Sequence, residues 1–202
     1  MQRKDIIKLP ENNDSSSVLS FQPQSGISVC DLANFGLTDE EFHENLETVN
    51  PGVRELRLKQ NYLTSCPVLD RFSQLKVLDL SRNQIHDVGD LRGMCQLKKL
   101  DLSQNRISSI VSEKQFPPEI TELNLSKNEI CKIGDWSGLY KLKRLNLSQN
   151  RISSVILEKQ FPVDIEKIDL RKNEITEVGD FSGMCKLKNL KLGNNKEFEV
   201  RK

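Results

Sequence analysis

Apolar residues recur at fixed places along most of the chain. In residues 142–152 the first, fourth, sixth and eleventh places are apolar, and the ninth place is Asn. The same frame begins again at six further positions, in steps of 22 or 23 residues: Val53, Leu75, Leu97, Ile120, Ile165 and Leu187. Glu197, in the last unit, is the one exception among the apolar places. Such a tandem array predicts seven stacked units of one solenoid.

Each unit contains a short alternation that predicts a β-strand. In Leu100, Asp101 and Leu102, the two leucines fall on one face of the strand and the aspartate on the other. If successive strands pair, their inward side chains stack into one core, in which each buried Leu or Ile contributes roughly 1.5 to 3 kcal/mol. The prediction is therefore a parallel sheet backed by a continuous core.

The ninth-place asparagine is present in every unit, as Asn61, Asn83, Asn105, Asn128, Asn150, Asn173 and Asn195. It falls where the chain turns out of the strand, and its amide offers two donors and an acceptor to backbone groups of the turn. We interpret these residues as a buried structural ladder and not as a catalytic set.

This pattern resembles the leucine-rich repeat over residues 53–195. The resemblance implies an α/β solenoid with a parallel β-sheet on its concave face and irregular or short helical outer segments. Units such as residues 75–96 resemble the 22-residue class of cytosolic and nuclear members, typified by the type-1 phosphatase regulatory subunit. The units that begin at Leu97 and Leu142 are one residue longer, so two kinds of unit alternate.

The segments outside the regular units predict a cap at each end. Thr38 or Asp39 can cap a helix over residues 40–48, and Phe42 would face the core. For the C-terminal segment we favour a final strand that seals the end of the stack. The alternative is that another chain covers this end. The predicted boundaries are residues 1–24 for a mobile arm, 25–52 for a degenerate first repeat and N-terminal cap, 53–195 for seven repeats and 196–202 for a closing segment.

The charge and the hydrophobic content of the chain disfavour two classes of function, nucleic-acid binding and membrane insertion. The net charge is +1 and the charged residues are balanced in sign, which disfavours a nucleic-acid binder. The N-terminus has no apolar run of signal-peptide length, and no stretch approaches the roughly 18 apolar residues of a membrane span. We therefore expect a soluble cytoplasmic or nuclear protein that makes no use of a membrane.

Cysteines and large outer residues are predicted to serve the core. The five cysteines are widely spread and lack the spacing of disulfide caps, and Cys95 and Cys185, at equivalent places, are expected to be buried. Leu91, Trp136 and Phe181 share one outer place and are also expected in the core. We predict neither a metal site nor a cofactor.

Outward strand residues at the third, fifth and seventh places form ladders on the concave face, which in leucine-rich repeat proteins is the usual docking surface. The candidate partner-binding residues are Arg57, Asp79, Lys99, Asp101, Asn124, Arg144, Asn146, Lys167, Asp169 and Arg171. They fit a docking face for a basic or mixed-charge protein segment. The alternative is a solvated face, because Leu-Asp-Leu-Ser is a common sequence of the family, and the absence of aromatic residues weighs against a tight site.

Catalysis has little support in the sequence. Asp79 and Asp101 could form a carboxylate pair, but an open sheet would neither exclude water nor supply a nucleophile. We therefore expect a non-enzymatic interaction module that binds a protein partner. The alternative is a structural subunit of a large cytoskeletal or ribonucleoprotein assembly, held by its edges and tails.

Overall fold

The computed structural model describes residues 6–7, 28–112, 115–155, 160–179, 181–196 and 199–200. Apart from Ile6 and Ile7, the arm predicted for residues 1–24 lies outside the described residues. Within them, no helix is long and apolar enough to cross a membrane.

The described chain winds as a parallel β-solenoid. Its strands are β1 (Ile6–Ile7), β2 (Val29–Asp31), β3 (Glu55–Arg57), β4 (Val77–Asp79), β5 (Lys99–Asp101), β6 (Ser109–Ser112), β7 (Glu122–Asn124), β8 (Lys132–Asp135), β9 (Arg144–Asn146), β10 (Ser154–Val155), β11 (Lys167–Asp169), β12 (Glu177–Val178), β13 (Asn189–Lys191) and β14 (Glu199–Val200). Among these, β1 to β5, β7, β9, β11 and β13 form one nine-stranded sheet in that order. The predicted leucine-rich repeat solenoid with a parallel sheet is confirmed.

Equal places of successive units pair with each other in this sheet. Leu56 is the partner of Leu78, and Leu78 is the partner of Leu100. All three leucines are at most 2% exposed, so the fourth place forms a buried column. A column of the sequence frame is therefore a column in space, with strands about 4.8 Å apart.

The outer segments are irregular, and some add short strands. β6 pairs with β8, and β10, β12 and β14 form a three-stranded sheet, in both cases parallel. β14 belongs to the segment for which a closing strand is predicted, and it pairs with β12 in the outer sheet. Residues 197–198 and 201–202 of that segment lie outside the described residues.

A short helix lies in the outer segment between β2 and β3, before the regular units. The helix α1 (Asp39–Asn45) begins after Thr38, whose hydroxyl accepts the N–H of Glu41 at 3.3 Å, and the Glu41 carboxylate accepts the N–H of Thr38 at 2.8 Å. This capping box satisfies two N-terminal donors, and a 3-10 turn, Leu46–Thr48, follows the helix. Phe42 is 3% exposed, as the sequence predicts.

The asparagine ladder has the predicted structural role. The Nδ2 group of Asn128 donates to the carbonyl oxygens of Leu102 and Leu125, both at 3.0 Å, and its Oδ1 atom accepts the N–H of Ile107 at 3.1 Å. Asn83, in an earlier unit, makes the same three kinds of contact. Each amide thus closes its own turn and ties it to the preceding one.

Aromatic residues fill the outer side of the core. Trp136 is 0% exposed and contacts Phe116 and Phe161 edge-on, with ring centroids 5.7 and 6.1 Å away. The equivalent Leu91 is also buried, but Phe181 is 40% exposed, so its predicted burial is wrong. Trp136 has an aromatic neighbour on both sides, whereas on the C-terminal side of Phe181 the described chain contributes only the two-residue strand β14, which pairs with β12.

The prediction that Cys95 and Cys185 are buried is also wrong, because both side chains are exposed. Cys95 is the second residue of a tight turn closed by the N–H of Leu97 and the carbonyl of Met94, at 2.9 Å. Such a position points away from the core, and Met94 is buried in its place. No group of three or more metal-ligating side chains is present in the described part of the chain.

Candidate protein-binding groove

Third-place and fifth-place side chains of the main sheet line an open groove of about 580 Å³. Nine of the ten candidate residues line it: Arg57, Asp79, Lys99, Asp101, Asn124, Arg144, Asn146, Lys167 and Asp169. The register brings them together, because equal places stack in adjacent strands. From the first regular repeat to the last, six strand spacings give the groove a length of roughly 30 Å.

The seventh place does not contribute as expected. Arg171 is absent from the groove lining and instead holds Asp169, with its Nη2 atom 2.7 Å from the carboxylate. The equivalent serines are 5 to 8% exposed: Ser81, Ser103, Ser126 and Ser148. The strand ends at the fifth place, whose side chain folds over the turn and covers these four serines, whereas Arg171 itself is exposed.

Fifth-place side chains stabilise their own turns. Asp101 accepts the N–H of Ser103 at 2.8 Å through one carboxylate oxygen and the amide of Asn124 at 2.9 Å through the other. Asp79 accepts the N–H of Ser81 at 2.9 Å. These carboxylates therefore have structural hydrogen bonds on an open sheet.

Ion pairs neutralise part of the third-place column. Glu122 lies between Lys99 and Arg144, with N–O distances of 3.2 and 2.7 Å. Arg57 is held by Glu55 at 2.5 Å and by Asp31 at 3.2 Å. With Arg171, which pairs with Asp169, four of the five cationic candidates are thus already paired within the protein.

The C-terminal half of the groove carries a different charge pattern. Burial raises the pKa of the Asp169 carboxyl, but hydrogen bonds from Arg171 and the charges of Arg171 and Lys191 outweigh it and lower that pKa overall. Asp169 is therefore ionised at neutral pH. Lys167 and Lys191 line the groove and make no ion pair with any described residue.

Five polar or outward-facing residues that were not among the candidates also line the groove: Glu55, Val77, Glu122, Asn189 and Lys191. They occupy the same third and fifth places as the candidates. The repeat frame alone therefore contains the signal that identifies them.

Family models describe two overlapping parts of the chain as leucine-rich repeats. One, for a pair of leucine-rich repeats, matches residues 73–114, and a second leucine-rich repeat model matches residues 95–152. No curated protein gives a significant match to the sequence. Together with the solenoid fold, these matches show that residues 73–152 are built of leucine-rich repeats.

Several solved structures share this fold. YopM from Yersinia enterocolitica WA-314 is 25% identical with a TM-score of 0.65, and the match covers 87% of this chain and 35% of YopM. The leucine-rich repeat domain of APL1B is 22% identical with a TM-score of 0.70, over 84% of this chain and 49% of that domain. TLR13, solved in complex with ssRNA13, is 23% identical with a TM-score of 0.71, over 87% of this chain and 26% of TLR13.

The chain thus spans between about a quarter and a half of the length of these structures. At such identities the similarity establishes the fold. Leucine-rich repeats are generally protein–protein interaction modules and are typically non-enzymatic. The resemblance of the 22-residue units to the phosphatase regulatory subunit class stays a prediction.

Proposed function

We propose that this protein is a non-enzymatic interaction module whose concave groove docks a mixed-charge segment of a protein partner. The observation that carries the proposal is the groove itself, to which seven adjacent turns contribute polar and charged side chains. No cofactor is required. The free cations Lys167 and Lys191 would receive acidic residues of the partner, and the Asp79 and Asp101 region would receive basic ones.

The ionic character of the groove sets the expected affinity. No aromatic residue lines it, although aromatic anchors dominate tight interfaces. Charge complementarity mainly raises the association rate and selects the partner. We therefore propose a selective interaction that weakens with rising salt concentration.

The test is affinity capture from the native source with quantitative comparison of variants. The groove variant is Lys167→Glu with Lys191→Glu, because reversing Lys99 or Arg144 would also strand Glu122. The matched control is Lys127→Glu with Lys132→Glu, which reverses two exposed lysines outside the groove lining that make no ion pair with described residues. Circular dichroism verifies that all forms fold.

A protein that the wild type and the control capture equally, and that the groove variant loses, supports the proposal. Subunits of a large assembly that all three forms retain would overturn the groove assignment. That result would support the alternative of a structural subunit held by its edges and tails.

We also propose a cytoplasmic or nuclear location. Cys95, Cys131 and Cys185 are exposed free thiols, and such thiols persist in reducing compartments. The resemblance of the 22-residue units to cytosolic and nuclear proteins supports the same location. Cell fractionation with thiol trapping tests it, and recovery of the protein from the secreted fraction would contradict it.

A further inference from the structure

The second place of each unit lies at the edge of the sheet where the strands begin. The N–H of Lys76 donates to the carbonyl of Arg54 at 2.8 Å, and the N–H of Lys98 donates to the carbonyl of Lys76 at 2.9 Å. Arg54, Lys76 and Lys98 therefore stand in one column, which we name the basic column. Two strand spacings make it about 10 Å long.

Neighbouring residues do not neutralise the basic column. On one side, the preceding turn residues Gly52, Gln74 and Gln96 carry no charge. On the other side, Glu55 is the one acid, and the guanidinium of Arg57 already holds it at 2.5 and 2.8 Å. No member of the basic column makes an ion pair with a described residue, and Arg54 and Lys98 are exposed while Lys76 is half-buried.

The same edge is compensated in the later repeats. Lys143 and Lys186 lie 3.8 and 2.9 Å from Asp164, and Lys188 lies 3.0 Å from Glu166. The basic column is therefore not a requirement of the repeat frame, because equivalent places accept acids and neutral residues. Like charges on adjacent strands repel each other and destabilise the sheet.

We propose that the basic column binds an acidic, extended peptide segment of a protein partner. An extended chain advances about 3.4 Å per residue, so three or four consecutive Asp or Glu residues span the 10 Å column. This surface lies at the edge of the sheet and does not depend on docking in the concave groove.

The surroundings favour a peptide over a nucleic acid. Single-stranded nucleic acids bind through bases stacked on aromatic side chains. The places that flank the basic column hold Gly52, Gln74, Gln96 and Val77, without an aromatic residue. Three cations also supply few phosphate contacts.

The experiment measures fluorescence anisotropy with the full chain. The probe is a labelled peptide of about ten residues with four consecutive Glu at its centre, an acidic run matched to the column length. A peptide with Gln in place of Glu and a uridine-rich RNA of about ten nucleotides, a length within single-strand site sizes, serve as comparisons. The test variant is Arg54→Gln with Lys76→Gln and Lys98→Gln.

The matched control is Lys127→Gln with Lys132→Gln and Lys172→Gln, which removes three exposed charges elsewhere that make no ion pair with described residues. Gln is the residue at the eighth place of other units, as in Gln60, Gln104 and Gln149, so it fits at Lys127 and Lys172. We expect the wild type to bind the Glu peptide and the test variant to lose affinity about tenfold or more, while the control loses less than about twofold.

Four results would overturn the proposal. The first is an equal loss of affinity in the two triple variants, and the second is equal affinity for the Gln and Glu peptides. The third is tighter binding of the RNA than of the Glu peptide through the basic column. The fourth is no binding of the Glu peptide at physiological ionic strength. Because the Debye length is then about 8 Å, binding that survives this screening requires close contact.

Discussion

The ninth-place asparagines stabilise the protein through buried hydrogen bonds between turns. Asn128→Leu would remove three of them and leave the N–H of Ile107 unpaired. The carbonyls of Leu102 and Leu125 would each keep one bond, from the amides of Asn105 and Asn150. Since an unpaired buried group costs roughly 1 to 3 kcal/mol, we expect the free energy of unfolding to fall by at least about that amount. Urea denaturation measures the change.

Asn189→Leu is the control for this variant, because Asn189 is an exposed amide of the same sheet. It should change the free energy of unfolding by less than about 0.5 kcal/mol. Equal effects of the two substitutions would contradict the ladder's structural role.

Cysteine reactivity should divide into two classes. Burial, with a smaller effect of Asp31, raises the pKa of the Cys30 thiol to about 12, and burial with Asp87 and Asp39 raises that of Cys66 to about 12. Because the thiolate is the reactive species, both should resist alkylation at pH about 8. We expect iodoacetamide to label the other three cysteines first, as mass spectrometry after limited reaction would show.

Rapid labelling of Cys30 in the folded protein would contradict this packing. In urea all five thiols should react, which provides the internal control.

The role of a residue was predictable from the sequence where its place in the repeat determines that role. The asparagine ladder follows from one place and one kind of turn. The exposure of Cys95 was not predictable, because it depends on the turn between Met94 and Leu97. The pairing of Glu122 with Lys99 and Arg144 also depends on side-chain conformations that periodicity does not specify.

At the scale of elements, Trp136 and Phe181 occupy the same place in two repeats, so the effect of their different packing on stability can be compared. Trp136→Ala should lower the free energy of unfolding by about 3 to 5 kcal/mol, because it empties a fully buried site between two phenylalanines. Phe181→Ala should cost less than about 2 kcal/mol, because that ring is partly exposed. Thermal and urea unfolding measure both.

Similar losses in these two variants would mean that Phe181 is as well packed as Trp136. The sequence predicts them to be equivalent, and only the presence of neighbours on both sides distinguishes them.

The concave strands were predictable because alternation of apolar and polar residues specifies both their position and their inward face. The short outer strands, such as β8 and β12, were not predicted. Those segments lack a sustained alternation, and their pairing follows from the stacking of the turns. Of the candidate groove, the frame predicted the third and fifth places, whereas the burial of the seventh-place serines depends on how the chain leaves the strand.

For the whole molecule, stability should vary along the stack. In repeat proteins each turn contacts only its neighbours. Leu145 is 2% exposed in the middle of the sheet, whereas Leu187, Leu190 and Leu192 are only partly buried at its end. We expect amide hydrogen exchange to be slow in β9 and faster in β13, as mass spectrometry of peptic fragments would show. Uniform exchange along the sheet would instead indicate a single cooperative unit.

The direction of the hydrogen bonds between turns has a mechanical consequence. They run along the long axis, from β1 at one end of the sheet to β13 at the other. A force that pulls these ends apart would therefore load the bonds of one turn at a time. Each rupture should release 22 or 23 residues, or about 75 Å of extended chain. Single-molecule stretching should give evenly spaced steps at low force, so that the protein behaves as a spring that yields turn by turn.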